Sequence, residues 1–265
     1  GGGMSAGRGR LAELLREADP DPVELALLVA MEAQPTLRLD GQLSRVDRIA
    51  REALTLGGGV DGVVVALRVT GLQGDRTLRN DPRGSLMPDV LDRGVGLSLC
   101  LAMLTVGVAR RAGVRMCGVL LPGHAVVCAD HSDAPAMFDP HHGWRAISRL
   151  DCAQLASGDA ELTDEDLRPV SARALTARML ADLRQAYLTV RDLRNALWTV
   201  ELGRMIDPGD TELQRQRAVL LAGVGRYQDA QDAAEGYLAE HPGSPDAPLV
   251  ERHLEALHDM MRRMN

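Results

Sequence analysis

Apolar and polar positions alternate with helical spacing over residues 10–56. Val23 to Met31 is apolar at that period, and Leu43, Val46, Ile49, Ala50, Ala53 and Leu54 form one stripe of an amphipathic helix. Asp19-Pro20-Asp21-Pro22 separates the first two helices, with Asp21 and Glu24 as acids at a helix start, and Gly57-Gly58-Gly59 closes the stripe. Val63 to Val69 fits a helix and a buried strand equally well. Residues 71–96 are rich in Gly, Asn and Pro and read as a long loop, a feature that usually serves function or covers something. Leu97 to Ala112 predicts a strongly apolar helix stopped by Gly113. The period then changes to two. Met116–Leu121 and Ala125–Ala129 predict strands joined at Pro122-Gly123, and a third short strand ends at Phe138-Asp139. From Asp151 onward the pattern is helical.

That helical part repeats itself. Leu193-x-x-Ala196 returns 34 residues later as Tyr227-x-x-Ala230, and Asp207-Pro208 returns at the same offset as His241-Pro242. A period of 34 with a helical Ala and a terminal Pro is that of tetratricopeptide helix pairs. The expected division is a first domain over 4–171 and a helical module over 172–265.

The chain has 265 residues, 45% hydrophobic and 25% charged, which is globular composition. Only one Phe, three Tyr and two Trp are present, so aromatic platforms for single-stranded nucleic acid are scarce. The net charge of −7 argues against duplex binding. Every basic residue is Arg, which rules out a Schiff-base or phosphate-loop lysine. Cys100, Cys117, Cys128 and Cys152 contain no CxxC pair, so neither a structural zinc nor a thioredoxin-type site is expected. No secretory leader and no membrane-length apolar run is seen, and Gly1–Gly3 before Met4 reads as an expression scar. These features predict a soluble cytoplasmic protein with reduced thiols, no cofactor, no bound metal, no nucleic-acid partner and no membrane partner.

Three elements then occur in a fixed order. A glycine-bearing loop, Gly94-Val95-Gly96-Leu97, enters the apolar helix at Ser98; Pro122-Gly123-His124 starts a strand; Phe138-Asp139-Pro140 ends one. A hydroxyl at a helix start, a His on one strand and an Asp on the next is an arrangement for acyl transfer. Unpaired N–H groups of the helix start would hold an oxyanion.

This order resembles the transglutaminase-like superfamily, and within it the bacterial SirB-type proteins with a tetratricopeptide tail. The resemblance rests on Asp81-Pro82-Arg83-Gly84-Ser85, Gly94-Val95-Gly96-Leu97-Ser98-Leu99-Cys100, Pro122-Gly123-His124, Asp139-Pro140, Asp151-Cys152 and Gly225-Arg226-Tyr227. It implies an α+β fold: a helical N-terminal lobe, a papain-like core of one helix against a small antiparallel sheet, and an all-α tetratricopeptide-like tail. It also implies a nucleophile, normally Cys, at the position of Ser98, with His124 and Asp139 completing the triad. The chain departs from the family at Gly96, where Pro is expected, at Ala125, where an aromatic is expected, and at His141-His142-Gly143-Trp144, where Phe-Asn-Gly-Gly is expected.

Two functions follow as expectations. One is an acyl-transfer or amide-processing enzyme using Ser98, His124 and Asp139 on a small-molecule or peptide substrate, with recruitment to specialised metabolism as a variant of it. The other is an inactive scaffold in which Ser98 is a mere helix N-cap and the cleft and tail bind a protein partner. His141, His142, Trp144 and Arg83 are the expected substrate contacts, with Arg76 and Arg79 as further anion-holding candidates. Adjacent strand residues face opposite ways, so His141 and His142 are expected on opposite sides, one of them lining the cleft. Cys100, two residues from Ser98, is expected to point into the core, and His131 to be exposed.

Overall fold

The computed structural model describes residues 6–129, 136–157 and 162–264. His131 therefore lies outside the described residues. The chain divides into two compact units between Asp182 and Leu183.

The first unit begins with four helices: α1 (Ala6–Leu14), α2 (Pro22–Ala33), α3 (Leu39–Thr55) and α4 (Gly59–Val69). The Asp21 carboxylate accepts the Val23 N–H at 2.9 Å and Pro22 occupies the first turn, so α2 starts where its cap dictates. In α3 only Val46, Ala50 and Ala53 are buried, one stripe of a surface helix. Val63, Val64, Ala66 and Leu67 are buried at helical spacing, which settles residues 63–69 as helix.

Residues 71–96 are not an open loop. They contain a parallel pair of two-residue strands, β1 (Gln73–Gly74) and β2 (Val95–Gly96), two 3₁₀ turns and helix α5 (Met87–Arg93). Asp75 and Asp81 each cap one 3₁₀ turn by accepting the N–H two residues on. Elements this short leave no periodic signal.

Helix α6 (Ser98–Arg111) is the centre of the unit, with 11 of its 14 residues buried. Helices α2, α3 and α4 pack on it from one side and the sheet from the other. Gly107 is required there, because a Cβ at that position would stand 2.2 Å from Cγ2 of Val23.

The sheet is an antiparallel meander in chain order: β3 (Met116–Leu121), β4 (His124–Ala129), β5 (Ala136–Asp139) and β6 (Arg145–Ile147). Leu121 pairs with His124 across the two-residue turn, where Gly123 has φ +68°. All of β4 is buried. Val119, Leu121, Val126 and Cys128 form one cluster with Ile147, Leu162, and Cys152 and Leu155 of α7 (Arg149–Leu155). Ser148 and Asp151 close a capping box at the start of α7.

Helix α8 (Ala172–Thr189) carries the division between the units. The second unit continues with α9 (Leu193–Ile206), α10 (Thr211–Gly223), α11 (Tyr227–Glu240) and α12 (Ala247–Met264). The 34-residue period is visible in the helices themselves. Helices α9 and α11 both have 14 residues and begin at positions 193 and 227. Ala196 and Ala230 are both fully buried at the helix contacts. The fold is thus an α+β domain followed by tetratricopeptide-like helical repeats, as the sequence implies.

Candidate functional site

Ser98 opens α6 but does not cap it. The cap position is Leu97, which offers no side-chain hydrogen bond. Leu97 is itself fixed by donating its N–H to the Gly84 carbonyl at 2.8 Å, so the Asp81–Ser85 motif serves to hold the start of α6. The Ser98 Oγ accepts the N–H of Ala125 at 3.1 Å, in a buried position. The N–H groups of the first turn of α6 therefore retain their donor capacity.

Ala125 follows His124, the first residue of β4. His124 Nε2 is hydrogen-bonded to Asp139 Oδ1 at 3.0 Å, with both side chains buried. Nδ1 of His124 has no hydrogen-bond partner among the described residues, and no Ser98–His124 hydrogen bond is formed there. Asp139 ends β5 and caps the 3₁₀ turn Pro140–His142, taking the His141 N–H on Oδ1 at 3.0 Å. Its Oδ2 is hydrogen-bonded to Nδ1 of His142. Burial alone would raise the Asp139 carboxyl. Hydrogen bonds from His124 and His142 outweigh burial and hold it at about 2, so it is an anion at neutral pH.

His141 and His142 do not face opposite ways. Pro140 ends the extended backbone, and the turn brings both rings beside His124: the His124–His141 centroids are 5.5 Å apart and His141–His142 4.9 Å. His141 is buried against β1, where Gly74 makes room for it. A Cβ on Gly74 would lie 2.1 Å from His141 Nδ1, which is buried without a hydrogen-bond partner among the described residues. Burial, then the neighbouring His124 and His142, push His141 down to about 4. The folded protein thus keeps His141 neutral while the unfolded chain protonates it near 6.5. Stability should fall as pH drops from 6.5 towards 4, by about 3 kcal/mol in all. Urea unfolding at pH 7 and pH 4.5 checks this, and His141→Gln should flatten the dependence.

The other expected contacts lie elsewhere. Trp144 is fully buried and its indole N–H donates to Thr105 Oγ1 of α6 at 2.7 Å, so it anchors the turn from beneath rather than lining a cleft. Arg83 is exposed and its side chain folds back on Asp81, with Nη2 to Oδ2 at 2.8 Å. Arg79 reaches the Gly123 carbonyl at 3.3 Å, next to His124. Cys100 is buried and its thiol is pushed up to about 12, mainly by burial, which leaves it unreactive.

Sequence reasoning missed Thr105, Arg68 and Gly74. Thr105 stands seven residues after Ser98 in an apolar helix, and that spacing alone could have marked it as a same-face partner. Arg68 clasps the turn through the carbonyls of Gly143 and Trp144, each at 2.8 Å, and no local signal announces this. Among the described residues, no group of three or more His, Cys, Asp or Glu is arranged to hold a metal ion, and no helix is long and apolar enough to cross a membrane.

Comparison with known proteins gives two matches along the chain. Residues 63–181 match the transglutaminase-like superfamily, and residues 183–255 match a tetratricopeptide repeat family. A UPF0162 protein of Xylella fastidiosa (strain Temecula1) is 26% identical over 191 residues, which is 69% of this chain and 68% of the relative. A UPF0162 protein of Pseudomonas aeruginosa is 26% identical over 209 residues, 72% of this chain and 75% of the relative. One from Vibrio cholerae is 25% identical over 194 residues, 71% and 72% of the two chains. No solved structure matches.

Proposed function

We propose that this chain, a transglutaminase-like domain followed by tetratricopeptide-like repeats, is an acyl-transfer or amide-processing enzyme in which Ser98, His124 and Asp139 replace the usual Cys-His-Asp set. Its motif order resembles that of the SirB-type proteins. One observation carries the reading. A buried carboxylate holds His124 by Nε2, while the Ser98 hydroxyl sits on the N–H of the very next residue.

The chemistry follows from that arrangement. Bound through Nε2, His124 has Nδ1 as its remaining proton acceptor. The Ser98 Oγ accepts from Ala125 and keeps its own hydrogen for donation. As Ser98 attacks a substrate carbonyl, His124 takes that proton, and the anionic Asp139 stabilises the imidazolium. The oxyanion is held by N–H groups in the uncapped first turn of α6. His124 then protonates the leaving group, and water or an amine releases the acyl group. Hydrolysis, transamidation and ligation share the first half of this sequence, on a small-molecule or peptide substrate. His141 and His142 border His124 and are the substrate contacts that this reading keeps. A reducing cytoplasm, in which cysteines stay as thiols, is the setting this reading assumes.

A second reading is favoured by the missing Ser98–His124 hydrogen bond among the described residues. Here Ser98 only ties α6 to β4, and the repeat module binds a protein partner. Fluorophosphonate labelling separates the two. The wild-type protein should be labelled at Ser98, and Ser98→Ala and His124→Ala should reduce labelling by about a thousandfold or more. The thiol of Ser98→Cys should be alkylated by iodoacetamide at pH 7 far faster than buried Cys100, because a helix start and an imidazole favour the thiolate. A wild-type protein that is not labelled at Ser98, with an inert thiol in Ser98→Cys, leaves the scaffold. Ser98→Ala also removes the acceptor of the buried Ala125 N–H, at about 1–3 kcal/mol.

A further inference from the structure

We infer that His142 is a positioning residue for the Asp139–His124 pair: it holds one carboxylate oxygen from the solvent side and thereby sets how strongly the other draws on His124. This rests on the reading of Ser98, His124 and Asp139 as the reacting group. Asp139 is fully buried and receives three donors. His124 and the His141 N–H share Oδ1; among the described residues, His142 alone takes Oδ2. Of the two imidazoles on this carboxylate, only that of His142 is open to water, its side chain 45% exposed against 3% for His124.

The turn that carries His142 is built to keep it there. Asp139 caps the turn, Pro140 fixes its first residue, and Gly143 and Trp144 both have positive φ, +68° and +54°. The Trp144 N–H returns to the Asp139 carbonyl at 2.8 Å. Arg68 clamps the two following carbonyls, and the Trp144 indole is pinned to Thr105.

The electrostatic consequence is direct. A donor on Oδ2 draws electron density from Oδ1, so His124 meets only part of the carboxylate charge. Less of the anion then remains to stabilise a protonated His124 during the reaction. Among the described residues, the other charged or titratable groups around this pair are His141 in the same turn, Asp75, Arg76 and Arg79 after β1, Arg145 opposite Asp139 on β6, Cys152 on α7 and Arg68 on α4. Among the described residues, only His142 joins direct contact with the buried carboxylate to exposure.

The test is the pH profile of fluorophosphonate labelling at Ser98 in the wild-type protein, His142→Leu and His142→Asn. With the second donor gone, His124 holds its proton more tightly. The acid limb of His142→Leu should move to higher pH by half a unit or more, which lowers labelling at the foot of the limb about threefold. The amide of His142→Asn can refill Oδ2 and should return the limb towards its wild-type position. A purely structural role would lower labelling at every pH without moving the limb, and that result overturns the inference. Should the wild-type protein not be labelled at all, the catalytic reading fails, and the positioning role is then read separately by NMR. The His124 Nε2–H resonance should move downfield in His142→Leu and return in His142→Asn; no movement in either overturns it. His142→Ala takes the place of the leucine variant if that one does not fold.

Discussion

Asp139→Ala should cost about 3–5 kcal/mol of stability and remove Ser98 labelling altogether. Its carboxylate is fully buried and answers the imidazoles of His124 and His142 and the N–H of His141. Removing it leaves those donors buried without an acceptor, which is far more damaging than the loss of a surface ion pair. Asp139→Asn separates the two roles. The amide fills the same space and still accepts one hydrogen bond, so most of the stability should survive. It also presents an N–H to a ring nitrogen that must carry the proton, and the wrong tautomer costs about 10⁴ in rate in serine enzymes of this kind. Urea unfolding and labelling rates on the two variants check both halves. An Asp139→Asn protein that is labelled at the wild-type rate would remove Asp139 from the mechanism.

Trp144→Ala should destabilise the first unit by about 3–5 kcal/mol, the usual range for a large aromatic deleted from a packed interior. The side chain is fully buried, and its N–H is satisfied by Thr105. Trp144→Phe retains much of the volume but leaves the Thr105 hydroxyl without its donor, at about 1 kcal/mol. Circular dichroism melts measure both effects without relying on tryptophan emission. Labelling of Ser98 should fall in the alanine variant as well, because the turn holding Asp139, His141 and His142 is fastened to α6 through this ring. Equal melting temperatures for Trp144→Ala and the wild-type protein would show that the ring does not fasten the turn to α6.

These two residues mark where sequence reading succeeds and where it stops. Asp139 is legible because short apolar runs bounded by Pro122-Gly123 and by Pro140 place His124 at a strand start and Asp139 at a strand end. The apolar run into α6 likewise fixes Ser98 at its first residue. The tail is legible because a duplicated helix pair repeats its own residues at a constant offset. Trp144 is not legible. An aromatic beside two histidines reads as a ligand wall, and only the positive φ of Gly143 and Trp144 turns the ring inward. Strand alternation puts His141 and His142 on opposite faces, but Pro140 converts those residues into a 3₁₀ turn. Strand β6 has three residues, and the strands inside residues 71–96 have two, below the length at which period-two patterning can be recognised. The hydrogen bond from Ala125 to Ser98 joins groups 27 residues apart and leaves no local trace.

The same separations bear on how the molecule comes into being. Ser98 meets Ala125 across 27 residues and His124 meets Asp139 across 15, all within one helix–hairpin–strand stretch. Closing such short loops loses little chain entropy, and topologies rich in near-sequence contacts fold fast. Synthesis runs from the N-terminus at about 5–20 residues per second, and domains fold largely as they emerge. A ribosome that has released the chain through Ile147, the end of β6, has already delivered every side chain of the candidate site and its whole sheet. The helical repeats are still to be made at that point. A nascent chain arrested after the first unit should therefore already carry an assembled Ser98, His124 and Asp139 group before any residue of the repeat array exists.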